Sequence, residues 1–428
     1  MRSEKGEGEA TQGEKDSRSL PTSPLHTSHF SFLTSAGPLA GVRVLDLTRL
    51  VAGGMLGMQL ADFGADVLKV EQPGRGDPLR AWSADGQPFW WRVYARNKRT
   101  ITLNLRASEG QALLRLLVPR CDVLLESFVP GALERWGLGP AALHALHPGL
   151  VIARVSAWGQ DGPKSARPGF GSLVEAASGY AAMSGEPDGP PLLPPLPLAD
   201  MVAALYGVNA VMFALYARDA RGAGGQVLDI ALFEGLFSIL GPQAAEYAAL
   251  GIVRQRTGSR LRDTAPRGVY PTADGAWLAV SGSTPAMAER FLRAYGLGDL
   301  LADPRFATND VRVRHAADLD AALAAAMGAR TLAENLALIE REGLTAMAVQ
   351  TIADVERDPH WRARELTVDL SDEEGTVRMH HVVPRLSGTP GALRWPGKPL
   401  GADNAAVYGG ELGLDDAELD RLRAAGII

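Results

Sequence analysis

The sequence predicts an α/β fold built on a doubly wound, mostly parallel sheet. Short apolar runs such as VRVLDLT (42–48), DVLKVEQ (66–72) and DVLLESF (122–128) have the length and composition of strands. They alternate with segments of helical spacing, and the first strand, helix and strand fit within the roughly 30 residues of a parallel βαβ unit. The same alternation continues as far as residue 158.

Taken in order, GGMLGMQLADFGA (53–65) places Met55, Met58, Leu60 and Phe63 at helical intervals, with Gly64 as its stop. TITLNL (100–105) reads as a strand and SEGQALLRLLVPRC (108–121) as a helix. PGALERWG (130–137) is a short helix opened by proline, and GLVIARVSAW (149–158) a buried strand. Residues 160–197 are rich in Gly and Pro around a short helical piece, Ser172 to Ser178; irregular segments of this length in compact domains often carry function. An apolar helix follows Asp200, then GQVLDIALFEGLFSIL (225–240). GVYPTADGAWLAVSGS (268–283) reads as a hairpin turning at Asp274-Gly275, and the amphipathic helices after it suggest a small α+β domain. The tail contains a helix at 332–342, a short strand near MAVQTI and a closing helix that stops at Gly426. The expected divisions are 1–37, a disordered extension; 38–225, the first part of a large domain; 226–330, a small domain; and 331–428, the remainder of the large domain.

Composition narrows the function classes. The net charge of −6 has no long block of one sign, so a nucleic-acid partner of the basic-patch kind is not expected. Cys121 is the sole cysteine, which excludes an internal disulfide or a Cys-based metal site and fits a reducing cytoplasm. The histidines show no metal-ligand spacing, so no metal is expected. Residues 1–37 have no apolar signal region and are too acidic for a transit peptide, carrying Glu4, Glu7, Glu9, Glu14 and Asp16. The apolar stretch from Met201 to Tyr216 is short for a bilayer and contains Asn209, so it reads as a core helix rather than a membrane segment.

Asp200 is the residue with most chemical interest. It stands alone in LPLADMVAALYG (196–207), where a carboxylate needs a hydrogen bond or a partner. Two readings remain open: an N-cap for a helix starting at Met201, or a nucleophile kept ionised by that helix terminus. Basic residues cluster in RNKR (96–99), at Arg135, and at Lys164 and Arg167; each suits a solvated surface, and together they suit a phosphorylated ligand. Phe128 and Trp136 suit either core packing or stacking on a purine. LVAGGMLG follows the first strand as phosphate-binding turns do, but lacks the G-x-G-x-x-G spacing.

Several runs together, among them PLAGVRVLDLTRLVAGGMLGMQLADFGADVLKVEQPGRGDPLR, NKRTITLNL, DVLLESFVPGALERWGLG and LADMVAALYG, resemble the class III CoA-transferases, from about residue 38 to the end. That family includes formyl-CoA transferase, carnitine CoA-transferases and α-methylacyl-CoA racemase. The resemblance implies a Rossmann-like large domain formed by both chain ends, a small inserted α+β domain, and an interlocked homodimer. It implies an acyl-CoA and a carboxylic acid as substrates. It also implies that Asp200 attacks the thioester, passing through aspartyl anhydride and aspartyl–CoA thioester intermediates. By matching positions it assigns CoA contacts to Arg49, Leu50, Val51 and Ala52, to Lys98 and Arg99 near phosphates, to Ser127, Phe128, Arg135 and Trp136 around the nucleotide, and to Arg167. GEPDGPP (185–191) is expected to form a mobile lid or wall.

The departures are specific. Formyl-CoA transferase has glutamine where this chain has Val51, which argues against formyl and oxalate transfer. The racemase branch has Gly-His-Asp where this chain reads Gly169-Phe170-Gly171, and Phe170 cannot exchange a proton as two-base racemisation needs. Many family transferases carry a glutamine near Glu175; here the acid is expected either to position a substrate or to lie exposed on its helix. A racemase or isomerase and a non-catalytic CoA-binding protein remain the alternatives.

Overall fold

The computed structural model describes residues 37–428, so the extension expected over 1–37 lies, but for its last residue, outside the described part. Six strands form one sheet: β1 (Arg43–Asp46), β2 (Asp66–Glu71), β3 (Arg99–Thr102), β4 (Val123–Glu126), β5 (Val151–Ser156) and β6 (Val227–Ala231). Their order is β3-β2-β1-β4-β5-β6, and every neighbouring pair is parallel. The order reverses between β1 and β4, which is where a doubly wound sheet opens a crevice beyond its carboxyl ends.

Consecutive side chains on a strand point to opposite faces. Leu45, Leu68, Leu124 and Ile152 enter one core, while their neighbours Val44, Val67, Val123 and Val151 enter another. Both faces are apolar because helices cover both, which is why these strands read as continuous apolar runs. In chain order the helices of this body are α1 (Leu50–Asp62), α2 (Phe89–Tyr94), α3 (Ser108–Leu117), α4 (Ala132–Arg135), α5 (Pro140–Leu146), α6 (Gly171–Ala177), α7 (Tyr180–Met183), α8 (Leu198–Arg221), α9 (Leu232–Ser238) and α10 (Gln243–Leu250). Leu56 of α1, Val174 of α6, Val211 of α8 and Leu236 of α9 share the core with Val44. Leu114 of α3 and Leu143 of α5 share the core with Leu45.

Helix α8 is long and apolar enough to cross a membrane, but its Ala199, Ala203, Val211 and Ala214 are buried in the body. It approaches α1 so closely that a Cβ on Gly207 would lie 2.3 Å from Leu56 Cδ1, so any larger residue there requires Leu56 to move.

A second sheet of three antiparallel strands, β7 (Arg267–Pro271), β8 (Trp277–Ser281) and β9 (Ala346–Ala348), has its own core of Tyr270, Leu278, Phe291 and Leu319. Helices α11 (Pro285–Ala294), α12 (Asn309–Arg314), α13 (Ala316–Gly328) and α14 (Leu332–Glu342) accompany it. The predicted hairpin turn is present, with Gly275 at φ +79. Two expected boundaries move. Residues 227–231 pair with β5 and belong to the large sheet, although they fall within 226–330. Residues 346–348 pair with β8 and belong to the small sheet, although they fall after 330.

The tail continues with α15 (Ile352–Arg357), α16 (Pro359–Ala363), a hairpin of β10 (Thr367–Asp372) and β11 (Gly375–His380), and α17 (Asp416–Ala424). It returns to the large body. Asp403 accepts the Thr100 N–H at 2.8 Å, Tyr408 donates its hydroxyl to the Thr102 carbonyl at 2.7 Å, and the Asn104 N–H reaches the Ile427 carbonyl at 2.8 Å. Leu419, Leu422 and Ile428 complete the core around Leu45.

Candidate active site

A cleft of about 430 Å³ lies at the carboxyl ends of β1 to β4, at the point where the strand order reverses. The turns after those strands wall it: Thr48 and Arg49 after β1, Gln72 and Arg75 after β2, Asn104 and Arg106 after β3, Phe128 and Val129 after β4, with Arg135 and Trp136 from the end of α4.

Beneath this cleft lies a buried group of charges. Lys69 of β2 stands 3.1 Å from Asp77 and 3.7 Å from Asp46, and Lys98 stands 2.9 Å from Asp46. All four residues are at most 4% exposed. Burial pushes the Asp46 carboxyl upward, but Lys69 and Lys98 outweigh it and hold it below the ordinary aspartate value. The same groups bond to the turn between β1 and α1. Asp46 accepts the Thr48 N–H at 3.0 Å, Lys69 donates to the Thr48 carbonyl, and Asp77 accepts the Leu50 N–H at 3.0 Å. Leu50 sits at φ +61, which leucine adopts only where the surroundings impose it. An analogous acid closes β4: Glu126 accepts the Phe128 N–H at 2.7 Å while Arg154 binds its other oxygen at 2.7 Å.

The residues expected to contact a ligand separate into three groups. Arg49, Phe128, Arg135 and Trp136 line the cleft, with Phe128 and Trp136 packed edge to face at 5.1 Å. Ser127 supports them, its hydroxyl accepting the Arg49 N–H at 3.0 Å. Leu50 and Ala52 open α1 between the cleft and Asp200, and Val51 is buried against Leu79, Trp91 and Met201. Lys98 and Arg99 are elsewhere, contrary to the sequence expectation. Lys98 is consumed by the buried network. Arg99 starts β3, at the amino end of the sheet, and pairs with Asp66 and Glu411 at 2.6 Å each. Arg167 is exposed on the 160–170 loop and does not line the cleft.

Two arginines that sequence reasoning missed, Arg75 and Arg106, do line it. With Arg49 and Arg135 they make four exposed guanidiniums, and none has a carboxylate within 4.0 Å among the described residues. The acids in the cleft wall are already taken: Glu71 by Arg80 at 2.7 Å and Asp77 by Lys69. The cleft therefore suits a ligand with several negative charges. No group of three metal-ligating side chains occurs among the described residues.

Asp200 is the third residue of α8, not its cap. The helix begins at Leu198, and Pro197 before it supplies no capping side chain. Glu175 does that work from α6, its Oε1 accepting the Ala199 N–H at 3.1 Å. Glu175 is 2% exposed, which removes the exposed alternative; it is bonded to the protein's own backbone. The Asp200 carboxylate lies at the openings of three helices. The backbone N–H groups of Ala52, in the first turn of α1, and of Asp200 itself act to lower its pKa. The carboxylate also rests on Gly171, the first residue of α6, where a Cβ would lie 2.0 Å from Oδ2. Helix openings carry partial positive charge and favour an anion. Burial, followed by the charge of Glu175, acts in the other direction and pushes the Asp200 carboxyl up to about 6. The segment expected as a lid is tied down in this structure: the Gly258 N–H bonds the Gly185 carbonyl at 2.9 Å, and Arg256 bonds the Glu186 carbonyl at 3.3 Å.

Residues 39–404 match the model of CoA-transferase family III. The chain is 42% identical over 395 residues to the succinyl-CoA–D-citramalate CoA-transferase of Chloroflexus aurantiacus, covering 91% of this chain and 98% of that protein. It is 34% identical over 380 residues to the succinate–glutarate CoA-transferase of Agrobacterium fabrum, covering 86% of this chain and 94% of that protein. The crystal structure of a CAIB/BAIF family protein from Brucella suis superposes with a TM-score of 0.78 at 32% identity, covering 88% of this chain and all of that one.

The buried network predicts a large stability effect from removal of one charge. Lys69→Met leaves Asp46 and Asp77 short of their shared cation. It is expected to destabilise the chain by about 3–5 kcal/mol in denaturant unfolding; a loss under about 1 kcal/mol shows that the network does not hold the turn.

Proposed function

This chain belongs to CoA-transferase family III, and we propose that it moves coenzyme A from succinyl-CoA to a second dicarboxylic acid through covalent intermediates on Asp200. One observation carries the mechanism: the half-buried Asp200 carboxylate, in the first turn of α8, rests on Gly171 at the opening of α6 and near the Ala52 N–H of α1. The dicarboxylate class is supported by relatives named for succinyl-CoA with D-citramalate and for succinate with glutarate.

In this reading an Asp200 oxygen attacks the thioester carbonyl, the C–S bond breaks, and an aspartyl anhydride and CoA thiolate result. The thiolate attacks the aspartyl carbonyl and the donor acid leaves, so Asp200 carries CoA as a thioester. The acceptor carboxylate attacks that carbonyl and releases the thiolate, forming a second anhydride. Attack of the thiolate on the acceptor carbonyl yields the new acyl-CoA and restores the carboxylate. Each step exchanges one acyl bond for another, so no oxidant or metal is required. N–H groups at the three helix openings are suited to the oxyanion of each tetrahedral intermediate. Arg49, Arg75, Arg106 and Arg135 suit the phosphates of CoA, and Phe128 and Trp136 its purine.

The six-stranded body and the three-stranded body are read as the large domain and a small inserted domain. Leu205, Phe213 and Tyr216 on α8, and Tyr247 and Leu250 on α10, are exposed apolar side chains suited to cover by a second copy of the chain. Sedimentation velocity is expected to show a dimer; a fully active monomer contradicts this.

Incubation with succinyl-CoA, then hydroxylamine and mass spectrometry, is expected to leave a hydroxamate at Asp200. Asp200→Asn is expected to lose about 10⁴-fold in kcat. Turnover with Asp200 unmodified refutes the mechanism. Arg106→Ala is expected to raise the KM for acyl-CoA about tenfold with kcat within about twofold; an unchanged KM removes Arg106 from the phosphate site.

A further inference from the structure

Gly171 and Glu175 stand four residues apart on α6, so they present to the same side of that helix. Both meet the first turn of α8. Gly171 leaves the space that the Asp200 carboxylate occupies, and Glu175 accepts the N–H of the residue immediately before Asp200. Helix α6 is thus the seat on which Asp200 rests, with a hole at one turn and a hydrogen-bond acceptor at the next.

A cap alone does not require a charge. An amide oxygen at position 175 would accept the Ala199 N–H equally well and would be cheaper to bury. Glu175 has no lysine or arginine within 4.0 Å among the described residues, which sets it apart from the buried Asp46, Glu71 and Glu126. The charge is therefore uncompensated by an ion pair, and its effect falls on Asp200. The other elements around Asp200 bring no comparable group. The first turn of α1 holds no acid, Glu234 of α9 is exposed, and Asp161, Lys164 and Arg167 of the adjoining loop are exposed.

We propose that Glu175 is a positioning residue for CoA transfer, fixing the first turn of α8 so that Asp200 stays seated over Gly171, and holding a like charge against that carboxylate. The proposal rests on the reading of Asp200 as nucleophile. The two functions are separable. The hydrogen bond sets where the attacking oxygen is, and the charge sets how basic it is. The upward push on the Asp200 carboxyl agrees with the second.

The experiment compares the full-length wild type with Glu175→Gln and Glu175→Leu. The rate of hydroxamate formation at Asp200 from succinyl-CoA is followed from about pH 5 to about pH 8, with KM measured at the plateau. In the wild type the rate is expected to fall as pH drops through about 6, because only the ionised carboxylate attacks. Glu175→Gln keeps the acceptor and removes the like charge, which lowers the Asp200 pKa. Its acid limb is expected to move to lower pH by at least about half a unit, with the plateau within about threefold. Glu175→Leu removes both functions and is expected to lower the plateau by about tenfold or more with KM within about twofold. Should the leucine variant fail to fold, the limb of the isosteric glutamine variant decides. Labelling of Asp200 with limbs and plateaus that coincide across the variants overturns the proposal and leaves the nucleophile standing. Turnover of succinyl-CoA without any label on wild-type Asp200 overturns both.

Discussion

The charged cluster of Asp46, Lys69, Asp77 and Lys98 is the constraint on which the rest of the site depends. It joins β1 and β2 to the residue before β3 and to the loop after β2. Burial of four charges is costly, and two cations beside two anions recover that cost only when the remaining hydrogen-bonding capacity is filled. Here the backbone fills part of it: the Thr48 N–H and carbonyl and the N–H groups of Leu50 and Leu79 are all bound by members of the cluster. The turn from β1 into α1 is therefore held by electrostatics and not by its own conformational preference, as the φ of +61 at Leu50 attests. An apolar replacement of the cluster would pack, but nothing would then hold that φ.

Two consequences follow from this one turn. Its amino side presents Arg49 to the cleft, and its helical side presents the Ala52 N–H to Asp200. The cluster thus couples the cleft lined by Arg49 to the place where the Asp200 carboxylate is held. Missing side chains complete the geometry. Gly53 has no room for a Cβ because Thr48 lies 2.1 Å from where it would stand, and Gly207 and Gly171 let α8 close on α1 and α6. The seat of the Asp200 carboxylate is built here from close approach of glycine backbone more than from side-chain contacts.

Much of the large sheet was legible because strands buried on both faces leave continuous apolar runs, and the turns between them carry Gly and Pro. The register of a helix start was less legible. Asp200 has the composition of a cap, yet the turn that precedes it is helical, and the acceptor that caps α8 lies 24 residues earlier. Local sequence cannot display a cap contributed by another element. Charge was the least legible. Lys98 and Arg99 stand side by side in one basic run, yet Lys98 is paired with Asp46 and Arg99 with Glu411, both remote in sequence. Arg75 and Arg106 are solitary residues in turns, and only the topology, which brings the ends of β2 and β3 to one crevice, reveals that they line the same cleft. The 227–231 strand was expected within the 226–330 domain, whereas it pairs with β5 in the main sheet.

The environment of Asp200 holds opposed demands in balance. In the proposed reaction the Asp200 carboxylate first attacks a thioester and later departs from the second anhydride; the attacking oxygen leaves with the donor acid, and the acceptor supplies its replacement. A more basic carboxylate attacks faster, and a less basic one departs faster. Burial and Glu175 raise its basicity, while the backbone N–H groups of Ala52 and Asp200, at the openings of α1 and α8, limit the rise. With the carboxyl near 6, about nine-tenths of the molecules are ionised at pH 7, so little of the attacking form is lost. Further burial without those backbone donors would leave the group protonated at neutral pH. A fully solvated carboxylate would be ionised but weaker as a nucleophile. The buried network, by holding the opening of α1 against Asp200, keeps the group between these two limits.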